Sequence, residues 1–137
     1  MKERAIRVLI VDDNTDAATS LSLLLRLSGY ETSTALTGAS GIALAESFKP
    51  DVMLLDIGLP DMVGYEVCRT VRASSWGKDI SIIAITGWGV DNCFSSSLQA
   101  GFDHHLVKPI EFADLCKYLS EWQTKRSTKL GTIPNDQ

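Results

Sequence analysis

The chain has 137 residues, with 13 Lys+Arg against 17 Asp+Glu for a formal net charge of −4, and 45% of it is hydrophobic. That length is one domain of ordinary size, able to bury about two-thirds of its unfolded surface without disulfides or metals, and the apolar content argues against disorder. The acidic balance speaks against direct nucleic-acid binding. No apolar run approaches the roughly 20 residues of a bilayer span, and Met1-Lys2-Glu3-Arg4 leads into no signal-peptide apolar region. A soluble, cytoplasmic, single-domain protein without membrane insertion is expected.

Val8-Leu9-Ile10-Val11 is a short, β-branched apolar run that reads as a strand and ends in Asp12-Asp13-Asn14. From Thr15 the period turns helical: Ala17/Ala18, Leu21, Leu24/Leu25 and Ser28 are expected to share one face, with Gly29 as C-cap. Residues 31–35, Glu-Thr-Ser-Thr-Ala, predict a short strand. Thr37 is placed to cap a helix in which Ile42, Ala45 and Phe48 recur, and Lys49-Pro50 to end it. Val52-Met53-Leu54-Leu55 is a second wholly apolar strand, ending in Asp56. Gly58-Leu59-Pro60-Asp61 reads as loop, and Val67, Cys68 and Val71 mark a third helix.

Ile80 to Ile85 is the strongest strand signal and ends at Thr86-Gly87. Phe94 and Leu98 predict a fourth helix, closed by Ala100-Gly101. A stretch around Leu106-Val107, ending at Lys108-Pro109, predicts the last strand. Phe112, Leu115, Cys116, Leu119 and Trp122 then form the stripe of a fifth helix. Glu111 and Asp114 lie in its first turn and Lys125-Arg126 near its end, as the helix dipole favours. Beyond Ser127 the chain is polar, with Gly131 and Pro134. Residues 1–124 are therefore expected as the domain and 125–137 as a C-terminal tail or linker. Cys68, Cys93 and Cys116 match neither zinc-ligand nor redox spacing, and Cys68 and Cys116 read as small core residues.

Five strands alternate with five helices, and strands lacking polar alternation are buried on both faces. The fold class is doubly wound α/β around a five-stranded parallel sheet. Ligands of such sheets bind outside the C-terminal ends of the strands. Those ends carry Asp12 and Asp13, Asp56, Thr86 and Lys108. Crowded carboxylates remain ionised only beside a cation or a shared proton, and clustered hard oxygens suit Mg²⁺. With Lys108 and the Thr86 hydroxyl for phosphate oxygens, and a carboxylate as nucleophile, the set is what phosphoryl transfer requires. Each residue also has a plain alternative: Asp12-Asp13-Asn14 as a helix cap, Asp56 and Thr86 as turn residues, Lys108 as a surface charge. Their coincidence at four strand ends favours the functional reading.

Val-Asp12-Asp13-Asn, Leu-Leu-Asp56-Ile-Gly-Leu-Pro60-Asp-Met-Val-Gly64-Tyr-Glu, Ile-Thr86-Gly-Trp-Gly and Val-Lys108-Pro109 look like the receiver domain of two-component response regulators, over about residues 5–124. The wording around Gly58 and Thr86 most resembles receivers of hybrid histidine kinases or single-domain regulators. The resemblance implies a flavodoxin-like strand order 2-1-3-4-5 and a phosphoprotein in a phosphorelay, not a turnover enzyme. Asp56 would be the phosphoacceptor, forming an aspartyl phosphate. Asp13 and Asp56 would ligate Mg²⁺ directly, Asp12 largely through water, and Gly58 through its backbone carbonyl. Thr86 and Lys108 would hold phosphoryl oxygens. Lys108-Pro109 resembles the family's cis peptide.

Two positions depart from the family pattern. His105 stands where the switch site usually holds Tyr or Phe, and Trp88 is placed to cover the phosphoryl site. The implied partner is a histidine kinase or histidine phosphotransfer protein, meeting the rim near Asp56 and the first helix, with Leu23 and Leu27 either docking there or in the core. Phosphorylation would alter the face around residues 90–124 through Thr86 and His105. A Mg²⁺-dependent phosphohydrolase of the haloacid-dehalogenase type is the alternative, but it needs Asp-x-Asp after the first strand and a cap. A flavodoxin-like binder lacks its phosphate loop here, and a phosphorylation-independent scaffold receiver would not need the full residue set.

Overall fold

The computed structural model describes residues 5–87 and 101–131. Contacts divide the chain into two compact units, one ending at Val107 and one beginning at Lys108. The first contains β1 (Arg7–Val11), α1 (Thr15–Leu27), β2 (Glu31–Ala35), α2 (Gly38–Phe48), β3 (Val52–Asp56), α3 (Gly64–Ala73), β4 (Ser81–Thr86) and β5 (His104–Val107). All neighbouring strands run parallel, in the order β2-β1-β3-β4-β5. The helix expected at Phe94 and Leu98 lies outside the described residues, as do Trp88 and Cys93.

Burial follows position in the sheet. Every residue of the central strands β3 and β4 is buried, which is why both are apolar-rich and lack polar alternation. The edge strands β2 and β5 carry exposed positions. Leu9 and Val11 of β1, Met53 and Leu55 of β3 and Ile82 and Ala84 of β4 point to one side, where they meet Ala45 of α2 and Val67, Cys68 and Val71 of α3. Each of the larger aliphatic side chains contributes about 1.5–3 kcal/mol by leaving water. Burial pushes the Cys68 thiol up to about 11, so it stays protonated and acts as a small apolar residue. Helix α1 lies against β1 and β2, and no α1 residue enters that core cluster.

The face that α1 buries differs from the expected one. Ala18, Ser22 and Leu25 are buried, whereas Leu24 is 45% exposed and Ala17 and Ser28 are exposed. Ser22 can go inside because its hydroxyl pairs with Thr32 Oγ1 of β2 at 2.6 Å, which satisfies both polar groups. That draws the buried stripe toward Ser22 and away from Leu24, and Leu23 and Leu27 are exposed. Gly29 ends the helix as expected: at φ +98° it lets its own N–H reach the Arg26 carbonyl and the Tyr30 N–H the Leu25 carbonyl, both at 3.0 Å. These are the paired bonds of a left-handed helix stop.

The second unit opens with a cis Lys108-Pro109 bond and contains α4 (Phe112–Gly131). Leu115 and Leu119 of its apolar stripe are buried. The helix continues past Lys125-Arg126 to Gly131, because the polar stretch Ser127-Thr128-Lys129-Leu130 holds no glycine or proline to stop it.

Candidate functional site

Parallel pairing of β1 with both β2 and β3 sets the site. Strand β1 ends at Val11, opposite Ala35 and Leu55, and the Asp12 N–H donates to the Ala35 carbonyl at 3.0 Å, which holds Asp12 just beyond the edge. Asp12 Oδ1 accepts the Asn14 N–H at 2.9 Å. The side chain that caps α1 is Asn14, whose Oδ1 accepts the Ala17 N–H at 3.0 Å. Capping chemistry is therefore discharged by the amide residue, and Asp13 stands exposed beside it.

Asp56 is the last residue of β3 and only 6% exposed. The Ile57 N–H donates to the Ile85 carbonyl at 3.0 Å, so pairing with β4 continues past Asp56 and fixes its backbone. Its Oδ1 accepts the Gly58 N–H at 2.9 Å. One carboxylate oxygen from each of Asp12, Asp13 and Asp56 lies within 4.8 Å of the others. At that separation, two carboxylates near a protein surface repel by roughly 3 kcal/mol, which a bound cation would turn into attraction.

Thr86 closes β4 next to Asp56 and is buried. Its partner in β5 is Val107, and Lys108 follows that strand as the first residue of the second unit. Gly58 is exposed and bridges to Val63 across the loop between β3 and α3. His105 lies in β5 opposite Ala84 and is partly buried. Burial first, and the neighbouring His104 second, hold its imidazole below the ordinary value.

One residue read only as loop has a defined role. The Asp61 carboxylate accepts the Gly38 N–H at 2.7 Å and the Ala39 N–H at 3.0 Å, at the start of α2. Those amides hold its carboxyl below the usual range. Nothing periodic in the sequence links Asp61 to Gly38. The only sign was an acid at a proline turn.

An open parallel sheet with helices on both faces and carboxylates gathered at its C-terminal edge is a flavodoxin-like α/β domain with an acidic cluster. The chain matches the model of the response regulator receiver domain over residues 8–120 and belongs to that family. It is 38% identical over 109 residues to the transcriptional regulatory protein PrrA of Mycobacterium leprae, an alignment covering 80% of this chain and 46% of PrrA. The chain thus spans about half the length of the curated relatives it matches. A response regulator receiver domain from Methanospirillum hungatei superposes with a TM-score of 0.82 at 32% identity, covering 93% of this chain and 99% of that one. The receiver domain of the sensor histidine kinase PA1611 from Pseudomonas aeruginosa superposes with a TM-score of 0.78 at 32% identity, covering 86% and 97%, and carries a magnesium ion coordinated in its active-site cleft.

Proposed function

We propose that Asp56 is the phosphoacceptor of this receiver domain and that Asp12, Asp13, Asp56 and the Gly58 carbonyl hold Mg²⁺. The observation that carries the reading is the convergence of three carboxylates, from the ends of β1 and β3, within 4.8 Å. An all-oxygen donor set suits Mg²⁺, and two oxygens bound to one ion at about 2.1 Å are at most about 4.2 Å apart. Asp13 and Asp56 would ligate the ion directly and Asp12 largely through water, since Mg²⁺ keeps several of its waters. The cation would screen the incoming phosphoryl group from the carboxylates and withdraw charge from it.

An Asp56 oxygen attacks phosphorus, and the P–N bond of a phosphohistidine, or the P–O bond of acetyl phosphate, breaks. The leaving imidazole or acetate keeps the electron pair. Asp56 becomes an acyl phosphate, whose added charge and oxygens are met by the Thr86 hydroxyl and the Lys108 ammonium. Their movement, with His105 at the switch position, alters the 90–124 face. The domain is thus a switch that is phosphorylated and dephosphorylated, not an enzyme turning over a separate substrate.

The donor is a histidine kinase or histidine phosphotransfer protein meeting the Asp56 rim. Leu23 at 54% and Leu27 at 77% exposure supply an apolar contact on α1. Relatives include proteins named as DNA-binding response regulators. For this domain itself the acidic balance supports protein partners and no direct nucleic-acid contact. Among the described residues no helix is long and apolar enough to cross a membrane, and we place the domain in the cytoplasm.

Incubation with acetyl phosphate and Mg²⁺, followed by intact-mass measurement, tests the assignment. Wild type gains a labile phosphate-sized mass and Asp56→Asn does not; an equal gain in both would remove Asp56 from the role.

A further inference from the structure

The first turn of α2 is capped twice. Thr37 Oγ1 accepts the Ser40 N–H at 3.1 Å and Ser40 Oγ accepts the Thr37 N–H at 3.2 Å, a complete local capping box. The remaining amides, Gly38 and Ala39, are taken by Asp61 from the loop that follows the Asp56 strand. A box of this kind serves an isolated helix end on its own. The Asp61 contact differs because it ties α2 to the 57–63 loop.

Leu59 anchors the loop in the core and the Ile57 N–H ties its start to the Ile85 carbonyl, while its polar closure is made by its own backbone. The Gly58–Val63 bridge and the Gly64 N–H donating to the Ile57 carbonyl at 2.9 Å close it on itself. Its other link to α2 is apolar: a Cβ at Gly38 would come to 3.0 Å from Met62 Sδ and 2.9 Å from Val67 Cγ2, so glycine there permits the close approach. A bidentate carboxylate on two helix amides is a charge-assisted clamp of fixed direction. It lies three residues from Gly58.

We infer that Asp61 is a positioning residue for the cation site: by clamping the 57–63 loop to the start of α2, it holds the Gly58 carbonyl ready for Mg²⁺. The inference rests on the Mg²⁺ reading proposed above. Substituting Asp61 touches none of the three carboxylates and removes only the loop's polar tie to α2. Outer-shell partners of metal ligands typically contribute about 10–100-fold in affinity, and a single carbonyl held at one remove belongs at the lower end.

Calorimetric titration of Mg²⁺ into the metal-free protein, with the melting temperature recorded for each variant, tests this. Asp61→Ala weakens Mg²⁺ binding about tenfold, and Asp61→Asn, which keeps one acceptor oxygen, weakens it less. Thr37→Ala is the control: it removes the helix's own cap, lowers the melting temperature as Asp61→Ala does, and leaves the Mg²⁺ dissociation constant unchanged. Equal Mg²⁺ binding by wild type and both Asp61 variants overturns the inference. So does an equal loss in Thr37→Ala, which would make the effect one of helix stability. If wild type itself takes up no Mg²⁺, the reading of the acidic site falls, and the positioning role with it.

Discussion

At the N-terminal ends of the strands, opposite charges and carbonyls gather around two arginines, whereas at the C-terminal ends Asp12, Asp13 and Asp56 bring like charges together. Arg72 donates to the carbonyls of Gly101, Gly77 and Ile80 at 3.0, 3.0 and 2.6 Å and to Asp103 Oδ2 at 2.6 Å. The same Asp103 oxygen accepts the Ile82 N–H at 2.8 Å. Arg7 donates to Glu31 and to the Phe48 carbonyl, and its own N–H is accepted by Asp51. This edge is built for stability: each cation meets oxygens, and the bonds join α3, β4 and the entry to β5. The opposite edge instead gathers like charges, one carboxylate oxygen from each of Asp12, Asp13 and Asp56 lying within 4.8 Å of the others.

Substitutions at the two edges should therefore separate stability from chemistry. The largest expected effect is at the acidic edge: Asp56→Asn abolishes phosphate uptake from acetyl phosphate while the fold is retained, by mass measurement and circular dichroism. At the other edge, Arg72→Ala costs about 2–3 kcal/mol in urea unfolding, since several bonds to one charged group are lost from a partly buried site. Phosphate uptake should survive under folding conditions. If Arg72→Ala unfolds as wild type does, the arginine cluster is decoration and the contrast breaks.

Asp13→Asn should move the two quantities in opposite directions. Less repulsion raises the melting temperature of the metal-free protein by a few degrees. Mg²⁺ at about 100 times its dissociation constant stabilises wild type by about 2.7 kcal/mol, and most of that gain is lost in the variant. Thermal scans with and without Mg²⁺ read both effects. A variant that loses stability without metal would mean that the carboxylates do not repel as their spacing implies.

The smallest effect concerns His105. Its imidazole is held below the ordinary value of about 6.5 by burial, so the unfolded chain takes up the proton first as pH falls. Stability then rises with pH through the window below about 6.5 and is lost on acidification. Subtracting the pH profile of His105→Leu from that of wild type isolates this slope. A flat difference curve between pH 5 and about 7 would place the ring in solvent.

Much of this was legible from the chain. The apolar run Val8–Val11 and the apolar-rich Ile80–Ile85 reported burial on both faces, and the acids at Asp12, Asp13 and Asp56 were visible at the strand ends. Thr37 and Gly29 announced the cap and the stop they provide. Periodicity placed Ala18 and Leu25 of α1 inside correctly but missed Ser22, because a serine that finds a hydroxyl partner in β2 is buried like an apolar residue. It misjudged the end of α4, because polar composition does not stop a helix that meets no breaker.

Local pattern thus determined which segments are strands and helices, and which carry the chemistry-bearing acids. The tertiary structure alone decided who meets whom. The carboxylates converge because β1 pairs with β3, Asp61 acts because its loop returns to α2, and Arg72 stabilises because α3 ends beside the entries to β4 and β5. Each is a contact between residues distant in the chain, and periodicity reports only whether a side chain is buried, not what it is buried against.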